Sequence, residues 1–159
     1  MEKKLLNIGQ NGIMANYKKT DDILKDMCGI IDSSRKVAYQ AVNTALVQRN
    51  WLIGYRISEE ELQGETRAGY GQEIVKNISK ELTSLYGKGY AKSNLYSFYS
   101  FYKTFPNIFQ TVSGKSMSLL SWSHYQTLLQ VKDVEAREWH AQEAVEHPQV
   151  LFQRMKHKK

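Results

Sequence analysis

The sequence has 159 residues but only one cysteine, two prolines and no long apolar run. Its single cysteine, Cys28, excludes an intramolecular disulfide and any metal site built from several cysteines. No stretch approaches the roughly 20 apolar residues that span a bilayer, and the short apolar run near the N-terminus is too brief for a secretory signal. We therefore expect a cytoplasmic protein that makes no membrane contact, with Cys28 packed among apolar neighbours.

Recognisable catalytic motifs are also missing. The four histidines lack the i, i+4 spacing of a zinc-binding HExxH helix, and no aspartate is followed by the Glu-x-Lys of a metal-dependent nuclease. The glycine-rich segment 64–71 matches neither the P-loop nor the dinucleotide-binding fingerprint. The Ser-Trp-Ser-His run ending at His124 is better explained by helix capping and packing. We expect no catalytic residue, metal, cofactor or small-molecule substrate.

Apolar residues at helical spacing are abundant, and no alternating β-branched run predicts a strand. The predicted fold class is therefore all-α. We predict a flexible N-terminal arm over residues 1–19, a helical domain over 20–147 and a basic tail over 148–159. The helical stretch from Arg35 is expected to face the core with Val37, Ala38, Ala41, Val42, Ala45 and Leu46. In a later helix the corresponding residues are Leu95, Phe98, Tyr102 and Phe105.

Capping residues and helix breakers mark the predicted boundaries. Residues 20–22 predict a helix start, and the sequence leaves open whether Ser33-Ser34 interrupts that helix. Gly54 falls inside a predicted helix, where glycine costs about 1 kcal/mol relative to alanine, and so indicates a close backbone contact. The remaining boundaries are Gly87 and Pro106 as helix ends, and Ser121 and Asp133 as N-caps.

Positive charge is concentrated in the middle of the chain. Residues 64–118 carry seven Lys/Arg and three Asp/Glu, which gives +4 of the total of +6, whereas 1–63 and 119–159 contribute +1 each. Such a concentration indicates an anionic partner, although a solvated basic face is the alternative.

Within this basic region, two predicted helices flank a short connection that contains glycine. These are the parts of a helix-turn-helix, whose second helix lies in the DNA major groove. Small hydroxyl side chains allow close approach to a groove, and lysines bind phosphates. The predicted phosphate contacts are Arg67, Lys76, Lys80, Lys88, Lys92 and Lys103. The predicted groove-facing residues are Ser93, Tyr96, Ser97 and Ser100. A plain helical hairpin with a solvated Tyr/Ser face is the alternative.

Five segments follow one another in order: Trp51-Leu52-Ile53-Gly54, Arg67-Ala68-Gly69-Tyr70-Gly71, Leu82 to Leu95 with its Tyr86-Gly87-Lys88-Gly89-Tyr90 centre, Phe101 to Pro106, and Leu120-Ser121-Trp122-Ser123-His124-Tyr125. Together they resemble the N-terminal domain of the YhcG-type proteins of bacteria. In that family the helical region is regarded as a helix-turn-helix-like DNA-binding module, and it usually precedes a PD-(D/E)XK nuclease domain.

The chain departs from the family pattern after Glu146, where the expected Trp-Ser continuation is lost, and it ends at Lys159. The resemblance therefore implies the recognition part without the nuclease part. We expect a DNA-binding module that is catalytically inert alone, with a second copy of the chain or a separate nuclease chain open as further partners. The alternative function is a protein-interaction or dimerisation module.

Overall fold

The computed structural model describes residues 17–63, 68–109 and 120–146. Within them lie five α-helices and no strand, so the predicted all-α class is confirmed. The helices are α1 (Ile23–Gln63), α2 (Ala68–Tyr86), α3 (Lys92–Thr104), α4 (Trp122–Leu128) and α5 (Val134–Glu146), with a short 3-10 turn at Lys88–Tyr90. None of these described helices is long and apolar enough to cross a bilayer. The predicted terminal segments fall largely outside the described residues.

Helix α1 belongs to two compact units, one ending at Ala45 and one beginning at Leu46. Its start follows the predicted capping chemistry, because the Asp22 carboxylate accepts a hydrogen bond of 3.1 Å from the backbone N–H of Lys25. The backbone N–H of Thr20 hydrogen-bonds to the Asp26 carboxylate, which lowers the pKa of that carboxyl. Helix α1 continues through the serine pair without interruption, and the hydroxyl of Ser34 donates to the Ile30 carbonyl at 2.8 Å.

The core role predicted for the six apolar residues from Val37 to Leu46 of α1 is wrong, because none of their side chains is buried. Val42 is 61% exposed, and Ala38, Ala45 and Leu46 are exposed as well. Cys28, which was expected to be packed, is also exposed. The i, i+4 pattern identifies an apolar face but not the element that covers it. In the unit that ends at Ala45, α1 is the only helix among the described residues.

From Leu46 onward the apolar residues form two clusters. The first cluster is built around Val47, Phe101 and Leu128, which are fully buried, and the second around Leu95 and Phe98. Both clusters therefore depend on α3, whose buried face supplies three of these side chains. The other buried members are Leu120, Tyr125 and Ala144 in the first cluster, and Ile57 and Val75 in the second.

Aromatic contacts explain why Phe101, and not Tyr102, occupies the centre of the first cluster. The Phe101 ring lies 4.7 Å from Tyr125 and 5.2 Å from Trp122, centroid to centroid. Tyr102 is half-buried and instead packs edge-on against Trp51 at 5.1 Å. Five of the 13 residues of α3 are aromatic, so the helix has several candidate apolar faces, and the positions of α1 and α4 select between them.

The connection from α2 to α3 is fixed by short-range hydrogen bonds. Helix α2 ends at Tyr86, as predicted, and the next residue, Gly87, has φ of +95° and ψ of −173°, a backbone conformation that side chains other than glycine rarely allow. Ser79 on α2 donates its hydroxyl to the carbonyl of Tyr90 at 3.1 Å, and the Asn94 side-chain amide donates to the carbonyl of Gly89 at 3.1 Å. The two helices are thus in contact and joined by an ordered turn.

Candidate nucleic-acid interface

The residues from Leu82 to Lys132 include five lysines and no aspartate or glutamate. This acid-free segment contains α3, α4 and the turn that precedes α3. A segment of one charge sign cannot form ion pairs within itself, and its positive charge favours an anionic ligand.

Helix α3 separates an apolar face from a polar one. Leu95, Phe98 and Phe101 recur at intervals of three and are buried. Ser93 and Ser100 are exposed, as predicted, whereas Tyr96 and Ser97 are half-buried at the edge of the polar face. The hydroxyl of Ser97 donates to the Ser93 carbonyl at 3.1 Å and keeps both lone pairs available as an acceptor.

Exposed lysines flank the polar face of α3. The ammonium of Lys92 lies 5.9 Å from the ring centroid of Tyr96, and that of Lys103 lies 5.5 Å from Tyr99. Lys88 is exposed on the preceding turn. Among the described residues, no carboxylate lies within 4.0 Å of these three ammonium groups, so their charge is not compensated by an ion pair.

The remaining predicted phosphate contacts lie elsewhere. Lys76 and Lys80 are exposed on α2, and Lys76 faces Glu73 at 3.7 Å. Because both side chains of that pair are about two-thirds exposed, the pair is weak and would open for a stronger anion. Arg67 lies outside the described residues.

A polar cleft of about 310 Å³ runs between α3 and α4. Its walls carry hydroxyl and amide groups, one leucine and no charged side chain. The lining residues are Tyr96, Ser97 and Ser100 from α3, and Gln126, Leu129 and Gln130 from α4 and the turn after it. The structure thus brings together three of the four predicted groove-facing residues and adds two glutamines that were missed from the sequence. In the sequence, only the spacing of four residues between these two glutamines, within the acid-free segment, distinguishes them from other polar residues.

Capping and burial orient α4 at the cleft. The hydroxyl of Ser121 accepts the backbone N–H of His124 at 3.4 Å and lies 2.5 Å from Nδ1 of the same residue, as the capping interpretation predicted. His124, Tyr125 and Leu128 are buried, which leaves Gln126 exposed on the opposite side. Burial raises the pKa of Tyr125 to about 12, while a hydrogen bond with the backbone of Leu120 acts in the opposite sense.

The side chains at this surface supply hydrogen-bonding groups and positive charge. In the described part of the chain, no three His, Cys, Asp or Glu side chains are grouped to hold a metal ion. Amide and hydroxyl groups in the cleft can donate and accept hydrogen bonds, and the flanking ammonium groups can bind anions. Together they offer neutral hydrogen-bonding contacts with positively charged lysines on either side.

Comparison with known proteins places the chain in a family. The family model for the DUF1016 N-terminal domain matches residues 26–156. A relative from Escherichia coli (strain K12) named "Putative nuclease YhcG" is 31% identical over 162 aligned positions, which cover 84% of this chain and 42% of the relative. No solved structure matches the chain. The resemblance based on the five sequence segments is thereby confirmed.

Proposed function

The chain belongs to the DUF1016 N-terminal domain family, and from this premise we propose that it is a DNA-binding module of a nuclease-associated protein. The observation that carries the proposal is the polar face of α3, where neutral hydrogen-bonding groups are flanked by lysines that lack ion-pair partners among the described residues. Protein–DNA interfaces combine both kinds of group. Cationic side chains bind the phosphates, and neutral polar side chains bind phosphates or the edges of bases.

In the proposed complex, α2 and α3 act as a helix-turn-helix-like pair and the polar face of α3 approaches a groove of duplex DNA. Lys88, Lys92 and Lys103 bind phosphates on either side of the helix, with Arg67, Lys76 and Lys80 extending the phosphate contacts. Ser93, Ser97 and Ser100 are small enough to let the α3 backbone approach closely. Tyr96 contributes its hydroxyl at the edge of the face.

A salt series with random duplex DNA tests this function. Each phosphate contact releases condensed counterions, so the logarithm of the binding constant should fall linearly with the logarithm of salt concentration, by about 0.9 per contact. With three to six lysine or arginine contacts, the slope should lie between about −3 and −5. Affinity that is absent at low salt, or that does not change with salt, would contradict the proposal.

We further propose that this chain does not itself cut DNA. The relative that is named a nuclease is covered over only 42% of its length, and the matching family model is that of an N-terminal domain. Any nuclease active site would then belong to a part of the relative outside the match. The chain would supply DNA recognition to that activity.

A second candidate function is protein association, and the first half of α1 favours it. Ile23, Leu24, Met27 and Ile31 are each more than half exposed on this helix. Exposed apolar residues clustered along one stretch of a helix are typical of an interface. Sedimentation across a concentration series tests this function. Association that is lost in a Leu24→Glu/Ile31→Glu variant would support it, and a monomer at every concentration would oppose self-association.

A further inference from the structure

The α3–α4 cleft has properties that the phosphate-binding surface does not explain. Its lining is uncharged, although it lies within a segment whose only charged residues are lysines. Phosphate groups would favour ammonium or guanidinium side chains at their point of contact. A neutral site that offers both donors and acceptors is suited to the edges of nucleobases instead.

We propose that this cleft is a base-reading site and that Gln126 and Gln130 give it a preference for adenine. This inference rests on the proposed DNA binding and specifies which part of the DNA the cleft contacts. A glutamine side chain carries one carbonyl acceptor and one NH₂ donor at fixed separation. Adenine presents the complementary pair, the N7 acceptor and the N6 amino donor, on its major-groove edge.

The positions of the two glutamines support this role. Gln126 lies on α4 directly after the buried Tyr125, and Gln130 lies on the turn that follows the helix. Both are exposed, and both line the cleft opposite Ser97 and Ser100 of α3. A base edge held there would meet amides from one wall and hydroxyls from the other, while Lys92 and Lys103 remain outside the cleft to bind phosphates.

The two classes of side chain make different predictions for the same binding experiment. Glutamines carry no charge, so replacing them should leave the salt slope unchanged while reducing discrimination between base pairs. Lysine replacements should make the salt slope shallower and leave discrimination between base pairs unchanged. Base reading and phosphate binding can therefore be separated even though both lie on one surface.

The test begins with the full chain and a duplex library that has a randomised central segment. Binding-site selection should enrich sites containing A·T pairs at fixed positions. Changing one of those pairs to G·C should weaken binding by the chain about 10- to 100-fold, the range for loss of a bidentate base contact. In Gln126→Met and Gln130→Met variants, which keep side-chain length, that penalty should shrink to less than about threefold at the position each residue reads.

Gln142→Met provides the matched control, because Gln142 is an exposed glutamine on α5 that does not line this cleft. It should keep the full A·T preference. Salt-dependent binding with no enriched sequence, or with a preference that both cleft variants retain, would overturn base reading while leaving the proposed DNA binding intact. Absence of binding to the library at any salt concentration would overturn both. Thermal melts should show that the three variants are folded, because the substituted side chains are exposed.

Discussion

Gly54 of α1 lies directly against the backbone of Phe98 in α3. A Cβ atom at position 54 would lie 2.6 Å from the carbonyl carbon of Phe98, 3.1 Å from the Cβ of Tyr102, and closest of all to the Phe98 carbonyl oxygen. The missing side chain is what allows the two helix backbones to meet. This contact holds in place the helix that carries the candidate DNA-binding face.

Gly54→Ala should therefore destabilise the protein even though alanine favours helices. The clash involves backbone atoms that cannot rotate away, so we expect a loss of about 1–3 kcal/mol or more in the free energy of unfolding. Gly29→Ala in the same helix is the control, because nothing lies within 4 Å of the point that a Cβ atom would occupy there. It should gain up to about 1 kcal/mol from helix propensity. Denaturant unfolding of both variants measures the contrast, and equal effects would mean that the helices do not meet at Gly54.

Substitutions at two neighbouring residues of α3 should distinguish an effect on protein stability from an effect on DNA binding. Phe101 is fully buried, so Phe101→Ala should cost about 3–5 kcal/mol. Ser100 is exposed, so Ser100→Ala should change stability by no more than about 0.5 kcal/mol and yet weaken DNA binding. Denaturant melts and binding titrations on the two variants test both statements. A Ser100→Ala variant that binds as the wild type does would remove this side chain from the interface.

Replacing both Lys88 and Lys92 with alanine should make the salt slope of DNA binding shallower by about two units, one for each phosphate contact that is lost. Lys25→Ala/Lys36→Ala removes the same charge from exposed positions on α1 and is the matched control. If net charge alone drives binding, both double variants will change the slope equally. The proposed interface predicts that only the first pair does so.

Alkaline pH should destabilise the fold through Tyr125. The pKa of this tyrosine is raised from its ordinary value of 10.0 to about 12 by burial. Between these values the unfolded chain has lost the phenolic proton and the folded chain has kept it, so stability falls as pH rises through that window. At about pH 11, one unit into this window, Tyr125→Phe should reduce this fall by about 1.4 kcal/mol. Unfolding of the variant at neutral pH and at about pH 11 measures it, with Tyr39→Phe on the exposed surface of α1 as control.

The purified chain should not cleave DNA in the presence of Mg²⁺ or Mn²⁺, because no carboxylate cluster at nuclease spacing occurs in the sequence. Incubation with supercoiled plasmid is a sensitive assay, since one nick per molecule is detected. Cleavage that co-purifies with the chain and is lost on replacing a single acidic residue would show that an active site is present here.

Local chemistry made the helix boundaries predictable from the sequence. Asp22, Ser121 and Asp133 each accept a backbone N–H of their own first turn, and Gly87 follows the last residue of α2 with a positive φ. These interactions depend only on residues a few positions apart. The close contact at Gly54 was also predictable. Glycine lowers the stability of a helix, so a glycine inside a helix indicates that another group occupies the space of its side chain.

The orientation of one helix against another was not predictable in the same way. Periodicity marked Val42 as a core residue, but the structure leaves it exposed, and the core position predicted for Tyr102 is taken by Phe101. Gln126 and Gln130 were missed for a related reason. They reach the same cleft as Ser97 and Ser100 only because α4 packs beside α3, and no spacing within the sequence encodes that contact.

The exposure of Cys28 has a practical consequence, since it is the single cysteine of the sequence. One accessible thiol allows a maleimide dye to be attached at one defined position without altering α3 or α4. Fluorescence anisotropy of that dye would follow the formation of complexes in solution. The same sulfur atom can join two chains covalently when air oxidises it, so self-association of this protein has to be measured under reducing conditions.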